Sequence, residues 1–206
     1  MKLFIGICNS QYEIPGEFFW SYINIKSPYE TKVFRSKHPW DVVRNNRIID
    51  NFLKSDCDIL VKMDIDQRYP ENYFEKLVPL VEKYMVVGPL IYDRCEVNGH
   101  IPLAFSRIFN DGKLLQGIDL TGRTGVIDIK YCHTNLFYHR KVLEQIKPPW
   151  YEAYLSEDGL DRANHVDYDF LDKIHAAGYQ TFIDLDTVVA HRHIRYINKN
   201  LTQGAS

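Results

Sequence analysis

Two aspartates, Asp64 and Asp66, stand one residue apart directly after the apolar run Ile59–Met63. Residues i and i+2 of a strand point to one side, and in open α/β sheets ligands bind outside the carboxyl ends of the strands. Paired carboxylates at such an end suit a hard divalent cation. Mg²⁺ or Mn²⁺ commonly holds a diphosphate through one or two carboxylates and waters. The plainer use of the same residues is to cap the turn into the helix that Pro70 opens.

Three other stretches carry side chains of the right type. His191 and His193 alternate after the last apolar strand, and imidazole could complete a metal site begun by the aspartates; alone, the pair reads as a solvated strand end beside Arg192 and Arg195. Asp167 falls in the first turn of the last clear helix. With Asn164 as N-cap it would be the third helical residue, where an acid complements the helix dipole. Facing a pocket, it would be a general base. Glu157-Asp158 has similar composition but no helical pattern behind it. Arg44-Asn45, with Arg47, opens another helix, where arginine could meet a phosphate or simply line a solvated face.

Alternating strand-like and helix-like segments must position these groups, which predicts an α/β fold with a largely parallel sheet flanked by helices. Leu3–Cys8, Lys32–Phe34, Ile59–Met63 and Met85–Tyr92 read as strands. Pro15–Ile25 and Asp41–Lys54 read as helices, the second with Asp41 as N-cap. Pro70 opens a further helix and Pro79 kinks it. Glycines punctuate Asp93–Lys130, predicting a small antiparallel excursion. Tyr131–Tyr138 reads as one strand leading into helix Arg140–Ile146. Gly178 closes the last helix. Thr181–Leu185 and Val188–Ala190 read as two final strands, and residues 198–206 as a loose tail.

The 206 residues fit one domain. With 25 Lys+Arg against 27 Asp+Glu, the net charge of −2 argues against broad binding to nucleic acid or membrane surfaces. Cys8, Cys57, Cys95 and Cys132 form no C-x-x-C pair and read as free thiols in a reducing compartment. The apolar N-terminal run is shorter than a secretion signal requires, and no segment reaches the roughly 18 apolar residues of a membrane span. The expectation is a cytoplasmic protein without a membrane span.

Taken in order, these features resemble a GT-A-fold glycosyltransferase, especially the small family-two-like enzymes of bacteria and bacteriophages. The resemblance runs over nearly the whole chain. It rests on Ile5-Gly6-Ile7-Cys8-Asn9, Val42-Val43-Arg44-Asn45, the Asp64-Ile65-Asp66 strand end, Pro149-Trp150-Tyr151, Asp167-Tyr168-Asp169-Phe170, Ala177-Gly178-Tyr179 and Val189-Ala190-His191. It implies a Rossmann-like single domain over 1–197, with a nucleotide-sugar half over about 1–92 and an acceptor half over about 93–197. Asp66 would bind Mn²⁺ or Mg²⁺, and Asp64 would touch the ribose or share the metal. His191 would be a further ligand, a role His193 duplicates. Asn9 and Arg44 would lie near the nucleotide. Asp167 would take the proton from the acceptor hydroxyl in an inverting reaction. His133, Trp150 and Tyr151 would shape the acceptor side. Val166 departs from the Glu that usually precedes the catalytic Asp, and Cys132-His133-Thr134 from the usual small glycines.

The implied donor is a nucleotide-diphosphate sugar, with UDP-sugars favoured. The implied acceptor is a saccharide or a modified phage DNA base, and a phage enzyme would work in the host cytoplasm. A second copy of the chain could complete the acceptor side as a homo-oligomer. Two other classes share these residue types: a metal-dependent phosphoesterase or nucleotidyltransferase, and a non-catalytic sugar-nucleotide-binding module.

Overall fold

The computed structural model describes residues 1–9, 13–92, 102–109, 114–132, 135–160 and 162–191. In chain order the elements are β1 (Lys2–Asn9), α1 (Gly16–Ile23), β2 (Glu30–Lys37), α2 (Asp41–Leu53), β3 (Ile59–Asp64), β4 (Gln67–Arg68), α3 (Tyr73–Tyr84) and β5 (Val86–Ile91). They continue with β6 (Ala104–Phe109), β7 (Leu114–Gly117), β8 (Val126–Ile129), β9 (Tyr131–Cys132), β10 (Phe137–His139), α4 (Arg140–Glu144), α5 (Val166–Ala176) and β11 (Thr181–His191).

The main sheet is ordered β2-β1-β3-β10-β5-β11-β4, with β8 also on β11. Strands β1, β2, β3, β5 and β11 run in one direction, whereas β10, β4 and β8 oppose their neighbours. The expected antiparallel excursion is a separate sheet, β7-β6-β9.

The period-two alternation of strands divides the core. Along β1, Leu3, Ile5 and Ile7 pack with Phe18 of α1 and with Tyr73 and Leu77 of α3. Phe4 and Cys8 turn to the opposite face, toward Ile48 and Phe52 of α2 and Phe170 of α5. Gly6 allows that second packing, because a Cβ there would run into Ile48 and Leu60. Strand β3 alternates likewise: Ile59, Val61 and Met63 join the first core and Leu60 the second. Lys62 and Asp64 therefore follow Leu60 on the α2/α5 side.

Several boundaries differ from the expectation. Trp40, not Asp41, is the N-cap of α2; the Asp41 carboxylate accepts from Arg162 Nη1 and Nη2 at 2.8 and 3.0 Å and from Val42 N at 2.8 Å. The N-cap of α5 is His165, which makes Asp167 the second helical residue. The Asn164 amide is engaged instead by Tyr154 N at 2.9 Å, Glu152 O at 3.0 Å and the Asp169 carboxylate. Pro70 lies in the turn before α3, where its carbonyl accepts from Tyr73 N at 3.1 Å. Pro79 sits inside α3, which runs on to Tyr84.

The stretch 131–138 is two strands in two sheets, because Asn135 takes a left-handed φ of 71° and redirects the chain. The two final strands are one, β11, with a register break between Asp184 and Val188. There the Asp184 carboxylate accepts from Thr187 Oγ1 at 2.6 Å and Asp186 N at 3.2 Å, replacing ladder bonds lost at the bulge. Gly178 closes α5 as expected: it has φ 88°, donates to His175 O at 2.9 Å, and Tyr179 N donates to Ile174 O at 3.2 Å. Among the described residues no helix is long and apolar enough to cross a membrane.

Candidate active site

Strand β3 ends at Asp64, and the chain turns through Ile65 and Asp66 into the two-residue strand β4. The alternation expected to put both aspartates on one side stops there. Antiparallel pairing of β4 with β11 sets His191 opposite Gln67 and brings its imidazole to the turn. His191 Nε2 lies 3.5 Å from Asp66 Oδ2. The other ring nitrogen, Nδ1, is 3.2 Å from Tyr92 O, which can only accept. A proton on Nδ1 satisfies that carbonyl and leaves Nε2 directed at the carboxylate, so the ring is oriented as a histidine ligand fixed by a backbone acceptor is.

Asp66 and His191 line a cavity of about 400 Å³ together with Pro15, Glu17, Phe18 and Arg68. Among the described residues no group of three or more His, Cys, Asp or Glu side chains is arranged to hold a metal ion. The pair itself offers a divalent cation a carboxylate oxygen and an imidazole nitrogen directed at each other, and Mg²⁺ commonly takes its remaining ligands from waters and phosphate oxygens.

Asn9, 1% exposed, ends β1 beside Lys37 of β2. One position back, Cys8 pairs in register with Ser36 and with Asp64. Burial, reinforced by the Asp64 and Asp167 carboxylates, pushes the Cys8 thiol up to about 12, so it stays protonated and donates to Asn45 Oδ1 at 3.1 Å. The Arg44 guanidinium braces the loop into α2, its Nη1 donating to the carbonyls of His38 and Pro39. Its Nε and the Ser36 Oγ are buried without a hydrogen-bond partner among the described residues. Ser36 lies near the carboxyl end of β2, the end at which open α/β sheets bind ligands. Ser36 carries no sequence signal; its place beside Cys8 comes from the β1–β2 register alone.

Asp167 sits in the first turn of α5 with its side chain 15% exposed. Its partner is Lys62 of β3: Nζ lies 3.3 Å from Asp167 Oδ1, and the lysine side chain is 4% exposed. Burial alone would lower the Lys62 ammonium, but the nearby Asp167 and Asp64 carboxylates oppose it and hold it above the usual lysine range. Asp167 Oδ2 is 3.9 Å from His165 Nδ1. Burial holds His165 below its ordinary value, although Asp167 opposes the shift. Lys62 was not among the residues singled out from sequence. Its signal is a cation inside the otherwise apolar run Ile59–Met63.

Trp150 and Tyr151 lie in the core, 7% and 2% exposed. The Trp150 indole N–H donates to Ile146 O at 3.0 Å, and the Tyr151 ring packs 4.4 Å from that of Phe170. Tyr151 also faces Lys62, with the ammonium 5.0 Å from its ring centre. His133 and His193 lie outside the described residues.

No sequence-family model matches the chain, and no curated protein matches it. Solved structures do. A197 from STIV aligns with TM-score 0.59 at 19% identity, over 92% of this chain and 84% of that one. GalNAc-T7, solved with UDP, GalNAc and Mn²⁺, aligns with TM-score 0.65 at 13% identity, over 100% of this chain and 46% of that one. TarS 1-349 from S. aureus, solved with UDP-GlcNAc, aligns with TM-score 0.52 at 10% identity, over 100% of this chain and 62% of that one. The chain therefore has the GT-A fold of glycosyltransferases. It spans under half of the GalNAc-T7 chain and less than two thirds of the TarS chain.

Proposed function

We propose that this protein is a metal-dependent glycosyltransferase that moves a sugar from a nucleotide-diphosphate donor, with UDP-sugars favoured, to an acceptor hydroxyl. The observation that carries the reading is the Asp66–His191 pair at the carboxyl end of the sheet, 3.5 Å apart across the β4–β11 ladder, within a glycosyltransferase fold.

Asp66 and His191 would hold Mn²⁺ or Mg²⁺, with Asp64 on the ribose or the metal. Such a cation neutralises charge developing on the departing diphosphate. Asn9, Arg44 and Ser36 would line the nucleotide end, near the carboxyl ends of β1 and β2 and the start of α2. Asp167, on the acceptor side, would accept the acceptor's proton as its oxygen bonds to the anomeric carbon. The bond from that carbon to the diphosphate oxygen breaks, and its electron pair leaves on the nucleotide. That displacement inverts the sugar. The proposed acceptor is a glycan or a modified DNA base of a phage.

The test is calorimetric titration of UDP with and without Mn²⁺. Wild type should bind UDP more tightly with Mn²⁺, and Asp66→Ala should lose that gain while keeping its thermal unfolding transition. Unchanged Mn²⁺-dependent binding in Asp66→Ala would overturn the reading.

A further inference from the structure

A lysine among the buried residues of a strand needs a reason. Its ammonium is strongly hydrated, and a buried charge persists only when paired and hydrogen-bonded. Lys62 meets that requirement across the boundary between the two halves of the chain. It leaves β3 toward α5, with its Nζ 3.3 Å from Asp167 Oδ1 and 3.5 Å from the Tyr151 Oη. Tyr151 covers the ammonium with its ring, and Phe170 backs that ring. The pairing occupies one carboxylate oxygen only. Oδ2 is left on the side of His165, whose side chain is 39% exposed.

A carboxylate on the first turn of a helix can rotate about two side-chain bonds, and the helix dipole favours its charge without fixing its direction. The strand supplies the direction. Lys62 and Asp64 share one face of β3, so the strand that ends in the donor-side acid also carries the cation gripping the acceptor-side acid.

Resting on the proposed role of Asp167 as base, we propose that Lys62 is the positioning residue of this enzyme: by holding Oδ1 it aims Oδ2 at the acceptor hydroxyl. Asp167 makes the chemical contact and Lys62 acts through it. In the transfer step the proton passes from acceptor oxygen to Oδ2 and the nucleotide leaves with the electron pair of the broken bond. Lys62 keeps its protons throughout.

The test is a double-mutant cycle on UDP release from UDP-GlcNAc, UDP-GalNAc and UDP-glucose with Mn²⁺, water serving as acceptor. A positioned base contributes roughly 10²–10⁴-fold, so Asp167→Asn should lower kcat by at least about 100-fold. Lys62→Met should lower kcat by at least about tenfold, with KM for the donor and Mn²⁺-dependent UDP binding within about twofold of wild type. Groups that act as a unit are non-additive, so Lys62→Met/Asp167→Asn should be no slower than Asp167→Asn.

If Lys62→Met alone does not fold, the double variant, which leaves neither charge unpaired, is compared directly with Asp167→Asn. A wild-type rate in Lys62→Met, or a further tenfold loss in the double variant, would overturn the positioning role and leave the base intact. A wild-type rate in Asp167→Asn would overturn the base, and the positioning role with it. A wild-type protein that binds Mn²⁺–UDP yet releases no UDP from any donor would overturn both.

Discussion

His191 Nε2 faces Asp66 Oδ2 at 3.5 Å while its Nδ1 rests on the carbonyl of Tyr92. One ring nitrogen is thus anchored to backbone and the other presented to a carboxylate. The pair should behave as two ligands of one cation. Replacing His191 by Gln should raise the Mn²⁺ concentration needed for UDP binding by at least about tenfold, the smallest loss usual for perturbed metal sites. Titrating Mn²⁺ at fixed UDP measures it, and EDTA should abolish the binding in wild type.

The Lys62–Asp167 pair should also register in stability. Removing one partner of a buried ion pair costs about 3–5 kcal/mol, because the other charge is left uncompensated. Lys62→Met should lose stability in that range by urea unfolding. Lys62→Met/Asp167→Asn should recover most of it, since both charges are gone. Losses that simply add would mean the two side chains are not coupled.

Asn46 joins α2 to the segment after Pro149. Its Oδ1 accepts from Trp150 N and Tyr151 N, each at 3.0 Å, and its Nδ2 donates to Tyr151 O at 2.8 Å. Each group left unpaired costs about 1–3 kcal/mol. Asn46→Ala should therefore be destabilised by at least about 2 kcal/mol in the same measurement, with little change in the slope against urea.

Arg140 closes the carboxyl end of α2 from the start of α4. Its guanidinium donates to the carbonyls of Phe52, Leu53, Ser55 and Cys57 at 2.7–3.2 Å, and lies 4.6 Å from the Phe52 ring centre. A lysine cannot reproduce that planar fork. Arg140→Lys should lower stability by about 1–3 kcal/mol, and a wild-type Tm would contradict the capping role.

Burial holds the imidazoles of His139, His165 and His175 below the ordinary value of 6.5. As pH falls through 6.5 the unfolded chain takes up protons that these folded imidazoles refuse. Stability therefore drops on the acid side of 6.5 and is fully present above it. Thermal melts at about pH 7.5 and about pH 5.5 should give the lower Tm at the acid value. His175→Gln should narrow the gap, because Nδ1 of His175 is buried without a partner among the described residues.

Local pattern was enough to read much of the architecture. The apolar runs at Leu3–Cys8 and Ile59–Met63 became the central strands β1 and β3, and Gly178 closed α5, because strand burial and a left-handed cap depend on residues near in sequence. Capping at Asp41 and Asn164 is overridden by tertiary contacts. Both side chains have the right chemistry for capping, but each found a more distant partner, Arg162 for one and Tyr154 with Glu152 for the other. The merging of the last two strands was equally hidden, since it depends on Asp184 bonding to Thr187 and Asp186 across the bulge.

The sequence by itself determined the fold class and the acidic strand end, because periodicity and residue type are written along the chain. The tertiary structure decided the pairings. Asp66 meets His191 only because β4 and β11 lie side by side, and Lys62 meets Asp167 only because β3 and α5 share a core. A lysine in an apolar strand shows from sequence that some charge must compensate it. Which carboxylate answers, and on which oxygen, is fixed by the packing of two elements that brings together residues 105 apart in sequence.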